Sequence, residues 1–503
     1  MKRLTSLLAT FMLIITTFSA CSGTDISDTD ETTATAITTA ADTEAETESI
    51  YKLAVPDELD YDGYTFRFLG CPGENKTTES FFLQYTYDTE NGDIFNDSLY
   101  KRNMYVKEYL NIQFETQTHG NLIDIGAYRK AIRANDDSFD CGLWLDRYSL
   151  SAAQDNLVYP FQYLTDMYVD LDNPWWMSEV NKAISIDNKL YFASGAFDLC
   201  IYGTTPMLLF NKEMAADLNL ENMYDLVRNG KWTVNAMYEN MKLATADLNG
   251  DSVQDGNDQW GYNYVNNFLY FNMSTNNDEY FFKKDENDHP YFAAAGNERL
   301  LSIGEAVYSM LANKSYAIAR NDMSSKYLTA HAYEDVISMF ADGKSLYSSG
   351  GAIYLNNLRG MEQEFGILPF PKMDEYEPGT DFYSYVLGFI GYTIPTTISD
   401  PEMASAVLET LAYSSYNIVV PVFRETVLQL KSARDEESAE ILAMLTETKN
   451  YRVDLGIFFL DSSGTTMRMA FSNPDQFVSE YEKNRVRIEK AVAKAIETFQ
   501  KIE

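Results

Sequence analysis

KLYFASGAFDLCIYGTTPMLLFNK, residues 189–212, is the stretch that decides the fold. It holds three short apolar runs, 190–192, 199–202 and 207–210. Ala193-Ser194-Gly195 separates the first two, and Gly203-Thr204-Thr205-Pro206 the last two. Runs this short, rich in aromatics and bounded by Gly and Pro, predict buried strands rather than helices. After Phe210 the pattern switches, with Asn211 suited to cap a helix and Glu213 in its first turn. Periodicity alone gives strand–turn–strand–helix, which an ordinary α/β connection also satisfies.

Upstream, Lys2 and Arg3 precede an apolar run at 7–18, then Ser19-Ala20-Cys21. A charged start, a short apolar core and small residues form a signal peptide, assigned to 1–20. The apolar core is well short of the roughly 20 residues a spanning helix needs. Cys21 directly after the small pair resembles a bacterial lipobox, with Phe18 where Leu is usual, and implies lipidation of Cys21. Cleavage by ordinary signal peptidase is the other reading. Acyl chains there would tether the protein to the membrane without spanning it. From 22 to 49 the chain is mostly Thr, Ala, Asp, Glu and Ser, without Lys, Arg or aromatics. Such a segment buries too little apolar area to fold, so 21–54 is expected to be an acidic leash.

About 450 residues remain, enough for two lobes with full cores. The net charge of −36 repels nucleic acid and anionic lipid, so neither is expected as a partner. The chain carries 36 Tyr, 29 Phe and 5 Trp, most of which must be core. An excess of Tyr, an apolar ring with a polar rim, also suits a cleft that stacks against sugars. Besides Cys21 there are Cys71, Cys141 and Cys200, an odd set that argues against a disulfide framework and for buried thiols. Three scattered His (His119, His289, His331) make a His-based metal site or catalytic triad unexpected.

From 64 to 145 the pattern runs strand (64–69), helix (96–110), strand (111–115), helix (125–134), strand (140–145). That is the doubly wound arrangement, which places ligands beyond the carboxyl ends of the strands. At the end of the third strand stand Trp144, Asp146 and Arg147. A carboxylate beside a guanidinium can take vicinal hydroxyls as acceptor and donor, and the indole can stack. The plain alternative is a surface pair behind a core Trp. Trp175-Trp176 ahead of a helix is a second aromatic candidate, with packing as its alternative. Further on, Thr233 is suited to cap a helix whose stripe is Val234, Met237, Met241 and Ala244.

Asp247-Leu-Asn-Gly-Asp-Ser-Val-Gln-Asp-Gly-Asn-Asp258 then places Asp247, Asn249, Asp251, Asp255 and Asp258 at loop positions 1, 3, 5, 9 and 12. Val253 is free to offer its carbonyl at position 7. This is the donor order of an EF-hand-type loop, and a structural Ca2+ is expected there. It departs from the pattern in having Gly at position 4, Ser252 at 6 and Asp at 12. A solvated Asx-rich turn is the alternative.

Several of these segments together resemble the bacterial extracellular solute-binding proteins of the sugar-binding type, including the maltose-type binding proteins. LLFNK at 208–212 resembles the strand that carries their chain into the second lobe, and FGILP at 365–369 the strand that returns it. The Trp-Asp-Arg segment and the acidic loop fall in the family's order, and the likeness covers nearly the whole mature chain. It implies two doubly wound α/β lobes with a hinge and a cleft, the periplasmic-binding-protein type II fold. The first lobe would be 55–202 with 368–418, and the second 203–367 with 419–503. The implied site is Trp144, Asp146, Arg147, Trp175, Trp176, Thr204, Asn267, Tyr270, Tyr347 and Phe459. The implied function is capture of a carbohydrate, an oligosaccharide for preference, by lobe closure and delivery to the membrane subunits of an ABC importer. The protein would act as a lipid-anchored extracytoplasmic monomer without catalysis. A surface glycoside hydrolase and a peptide receptor of the same architecture are the rival readings.

Overall fold

The computed structural model describes residues 52–70, 84–118, 125–265, 268–294, 296–312, 315–329, 331–358, 360–385, 389–428, 435–447, 449–450 and 477–501. In chain order the elements used below begin with β1 (Tyr64–Gly70), α1 (Ile94–Leu110), β2 (Ile112–Thr118), α2 (Gly126–Arg133), β3 (Cys141–Leu145) and α3 (Asp146–Gln154). Then follow α4 (Ser178–Ile184), α5 (Leu199–Gly203), β4 (Pro206–Asn211), α6 (Val234–Ala244), β5 (Trp260–Tyr264), β6 (Phe282–Lys284), β7 (Pro290–Phe292) and β8 (Ala317–Ala319). The remainder are α7 (Ala332–Ala341), β9 (Ser345–Gly351), β10 (Phe365–Leu368), β11 (Ile390–Thr393), α8 (Pro401–Ser414), α9 (Val420–Leu428) and α10 (Phe477–Gln500).

Each lobe is built on one sheet. The first runs β11-β3-β1-β2, with β1 parallel to both β2 and β3 and β11 antiparallel to β3. The order 2-1-3 about β1 is the doubly wound arrangement expected from the alternating elements. The second sheet runs β10-β4-β9-β5-β8, with β4 antiparallel to both neighbours. The helix caps read from sequence, Asn211 and Thr233, are present, and Asp400 adds a third. Asn211 Oδ1 accepts from Met214 N at 2.9 Å, Thr233 Oγ1 from Ala236 N at 3.2 Å, and Asp400 Oδ1 from Met403 N at 2.9 Å ahead of Pro401. The stripe Val234, Met237, Met241 and Ala244 is buried.

The decisive stretch differs from its sequence reading in two of its three runs. Met207–Phe210 lies in β4, as expected. The run 199–202 is helical, because Asp198 caps it, accepting from Cys200 N at 3.1 Å. The run 190–192 joins no sheet; its neighbour Ala193 pairs singly with Tyr392.

The lobe boundaries also move. Residues after β10 stay on the second core: Trp232 Nε1 donates to Pro369 O at 2.8 Å, Lys372 N to Trp232 O at 3.2 Å, and Phe382 is buried there. The chain therefore re-enters the first lobe near 389 rather than 368. The next passage is a helix: α8 runs through a π turn, Ser415–Val419, into α9. Pro401–Glu425 is long and apolar enough to cross a membrane, yet 67% of its most apolar window is buried inside the protein. α10 belongs to both lobes, with Ile488 and Val492 in the second core and Ala495 and Phe499 packed with Tyr128, Trp144 and Tyr191 of the first.

Candidate functional site

At the end of the second sheet the register sets Pro206 opposite Gly351 and Met207 opposite Gly350. A pocket opens there, lined by Thr204, Pro206, Tyr333, Ser349, Gly350, Gly351, Tyr354 and Phe370. The glycine pair permits it. A Cβ on Gly350 would come within 2.9 Å of the Leu209 side chain, so β4 closes tightly on β9. A Cβ on Gly351 would stand 3.5 Å from Gly203 O and 3.6 Å from the Tyr354 ring, inside the pocket. The Tyr333 and Tyr354 rings stack at 5.7 Å and 24°. Burial raises the Tyr354 phenol well above its ordinary range, so it stays neutral. Thr204 Oγ1 donates to Cys200 O at 2.7 Å, and as a hydroxyl it can accept as well. Stacked phenols beside hydroxyls form a surface suited to a ring with one apolar face and a polar rim.

Asp146 opens α3 at the carboxyl end of β3. Its side chain is buried, at 8% exposure, with no hydrogen bond from another side chain among the described residues. Burial pushes its carboxyl up to about 6, against the lowering pull of Arg147. Arg147 is half-buried, with its guanidinium 5.0 Å over the Tyr148 ring. The backbone N–H of Arg147 also reaches this carboxyl, which still has lone pairs to offer a ligand hydroxyl.

The other predicted residues fall elsewhere. Trp144 is wholly buried, edge-on to Tyr128 at 5.7 Å, behind the sheet rather than at its end. Trp175 and Trp176 are buried and donate their indole N–H groups to Glu409 at 2.8 and 2.7 Å. Tyr270 is core, its hydroxyl donating to Leu300 O at 3.3 Å. Tyr347 lies too deep in β9, against Trp232 at 5.9 Å, and accepts from Asn240 at 3.0 Å. These five are packing residues in this fold. Asn267, Phe459 and Cys21 lie outside the described residues. Tyr333, Tyr354 and Phe370 were not foreseen. The available signal was an aromatic three residues after Gly350-Gly351 and another directly after FGILP. Cys141 and Cys200 are free and buried.

In the acidic loop, Asp247 accepts from Gly250 N and Ser252 N at 2.7 and 2.8 Å, which holds its carboxyl below the usual range. Asn249 accepts from Asp251 N, Asp251 from Val253 N and Asp255 from Asn257 N, each at 2.8 Å. Asp258 is buried and accepts from Leu248 N at 3.0 Å and Asp255 N at 2.8 Å. Ser252, at position 6, takes φ 65°, the turn that an EF-hand loop makes there. The donor order is that of a Ca2+ loop, while among the described residues no three acidic, His or Cys side chains converge on one point. As folded, the loop closes on its own hydrogen bonds.

No family model matches the chain, and no curated protein sequence matches it. Solved structures do. An ABC substrate-binding protein from Listeria monocytogenes in complex with cycloalternan superposes with a TM-score of 0.52 at 12% identity, over 88% of this chain and 99% of that one. A sugar transporter protein from Rhizobium etli, in an open conformation, gives 0.54 at 10% identity, over 88% and 100%. UgpB from Mycobacterium tuberculosis in complex with glycerophosphocholine gives 0.50 at 13% identity, over 88% and 98%. The fold is the two-lobed one these substrate-binding proteins share. It is the periplasmic-binding-protein type II arrangement that the resemblance implied, although the return to the first lobe comes after FGILP rather than at it.

Proposed function

We propose that this chain is an extracytoplasmic binding protein that captures a carbohydrate by lobe closure and delivers it to an ABC importer. The observation that carries this reading is the stacked Tyr333–Tyr354 pair beside Thr204 and Gly351, at the sheet edge next to the first interlobe passage. Asp146, buried at the carboxyl end of β3 in the first sheet with a backbone N–H of Arg147 on its carboxyl, is the complementary hydroxyl acceptor, with the Arg147 side chain as donor. Ligand binding to both lobes selects the closed arrangement. Binding without catalysis is part of this proposal. An acyl group on Cys21 would tether the protein, the acidic 21–54 segment would give it reach, and it would act as a monomer.

Calorimetry against neutral oligosaccharides, peptides and glycerophosphocholine tests the reading, since the fold also serves the last of these in another protein. Saccharide binding with X-ray scattering compaction is the expected result; binding of peptide or glycerophosphocholine alone would overturn it. Tyr354→Ala should weaken binding about tenfold through lost stacking. Asp146→Ala should weaken it 10- to 100-fold or so, the range for a hydrogen bond to a charged group. Product release from the same saccharides would instead identify a hydrolase.

A structural Ca2+ in the 247–258 loop is part of the proposal on the strength of donor order and the Ser252 turn. A rise of several degrees in Tm on replacing chelator with Ca2+ is expected if the carboxylates swing onto the ion. Equal values assign the loop to its hydrogen bonds alone.

A further inference from the structure

A dense polar junction joins the lobes beside the end of α10, through residues that do not line the pocket. On the first lobe the turn 186–189 is closed by pairing of Ile186 with Lys189, with Asp187 and Asn188 at φ 59° and 57°. On the second lobe the β6–β7 hairpin, anchored by Phe282 and Phe292 in that core, brings its tip to meet this turn. Asn188 N donates to Asp288 Oδ2 at 3.0 Å and Asp187 N to Asp288 O at 3.4 Å. His289 Nε2 lies 2.7 Å from Asp187 Oδ1. Lys284 Nζ donates at 2.6 Å to the carbonyls of Lys182 and Ser185, at the negative end of α4, and at 2.6 Å to Asp288 Oδ1. The end of α10 completes the cluster: Phe499 O accepts from Tyr191 Oη at 3.1 Å, and Gln500 Nε2 lies 3.4 Å from His289 Nε2.

The Lys284 and Asp288 side chains are each only 16% exposed. Charge-assisted bonds so shielded are stronger than an open surface pair. Every bond between the two tips runs from one lobe to the other, so a hinge motion that parts Asp187 from Asp288 must break them. We propose that this junction is a clasp that restrains lobe motion and thereby raises affinity at the cleft. Lobes already held near one another lose less freedom when they close on a ligand. The affinity part rests on the binding function proposed above; the restraint itself does not.

The test uses Lys284→Ala and Asp187→Ala, one from each lobe, in the full chain, with thermal melts to establish folding. The unliganded variants should scatter as larger, more variable particles than the wild type. They should bind the saccharide found by calorimetry at least threefold more weakly. The double variant should lose less than the sum of the singles, because both act through one junction. Wild-type scattering and wild-type Kd in a folded variant would overturn the clasp. If one variant fails to fold, the other, altered in the opposite lobe, decides. If no saccharide binds any form, the proposed function falls and the scattering curves alone judge the clasp.

Discussion

Replacing Glu409 with alanine should destabilise the protein by about 4 kcal/mol, the cost of two buried donors left unpaired plus a small cavity. Glu409 lies in α8 without solvent exposure. Its two oxygens take the Trp175 and Trp176 indoles at 2.8 and 2.7 Å. Asp170 N at 3.3 Å and Asn173 Nδ2 at 3.4 Å add weaker bonds. One carboxyl thus fastens the 170–176 segment to the helix that carries the chain toward the second lobe. The rings are locked in turn: Trp175 is edge-on to Tyr413 at 5.1 Å, and Trp176 to Phe197 at 5.6 Å. Glu409→Gln keeps one acceptor but turns an NH2 toward the other indole, so about 2 kcal/mol is expected. Glu409→Leu refills most of the volume yet leaves both indoles unpaired, and should cost nearly as much as alanine. Urea unfolding followed by tryptophan fluorescence ranks the three. A leucine variant as stable as the wild type would show that the cavity, not the unpaired donors, sets the cost.

That pair of tryptophans also shows what a sequence can and cannot disclose. Adjacent indoles ahead of a helix are a cleft candidate with packing as the alternative; packing holds, through a partner 234 and 233 residues away that local pattern cannot show. Local signals hold where the physics is local: Asn211 and Thr233 mark helix starts, the alternation from 64 to 145 gives the first sheet, and FGILP forms β10. The 199–202 run was misread because four apolar residues fit strand or helix equally, and the Asp198 cap decides. The resemblance implies Tyr347, close to Gly350-Gly351 in sequence, but depth along a strand is set by tertiary cover. Three residues beyond the glycines, Tyr354 reaches the pocket where Tyr347 lies under Trp232. Asp146 is the sequence candidate that the structure leaves buried at the carboxyl end of β3.

Stability is expected to peak near pH 5 and to fall on the order of 5 kcal/mol by pH 8. Burial raises Asp146 to about 6, Asp198 to about 7 and Glu409 to about 7. Asp198 is held by Ser194 Oγ at 2.9 Å and Ile390 N at 3.0 Å, yet desolvation outweighs both. The unfolded chain releases these protons at ordinary carboxylate values, whereas the folded chain keeps them longer. Their contribution is therefore whole below the unfolded values and lost as pH rises through 6 and 7. Asp60, Asp247 and Asp285 act oppositely: backbone N–H groups lower them, so what they contribute disappears only in stronger acid. Mutual repulsion in a chain of net charge −36 adds to the alkaline loss. A denaturation midpoint that is flat from pH 5 to 8 would contradict the burial of these three groups. Ligand affinity should run the other way. Only ionised Asp146 is a full acceptor for hydroxyls, so binding should strengthen as pH rises through about 6 while the fold itself weakens. A single protonation of Asp146 would thus favour the empty protein in acid and the loaded one near neutrality. Asp146→Asn should remove that rise in affinity while leaving the Asp198 and Glu409 parts of the stability curve in place.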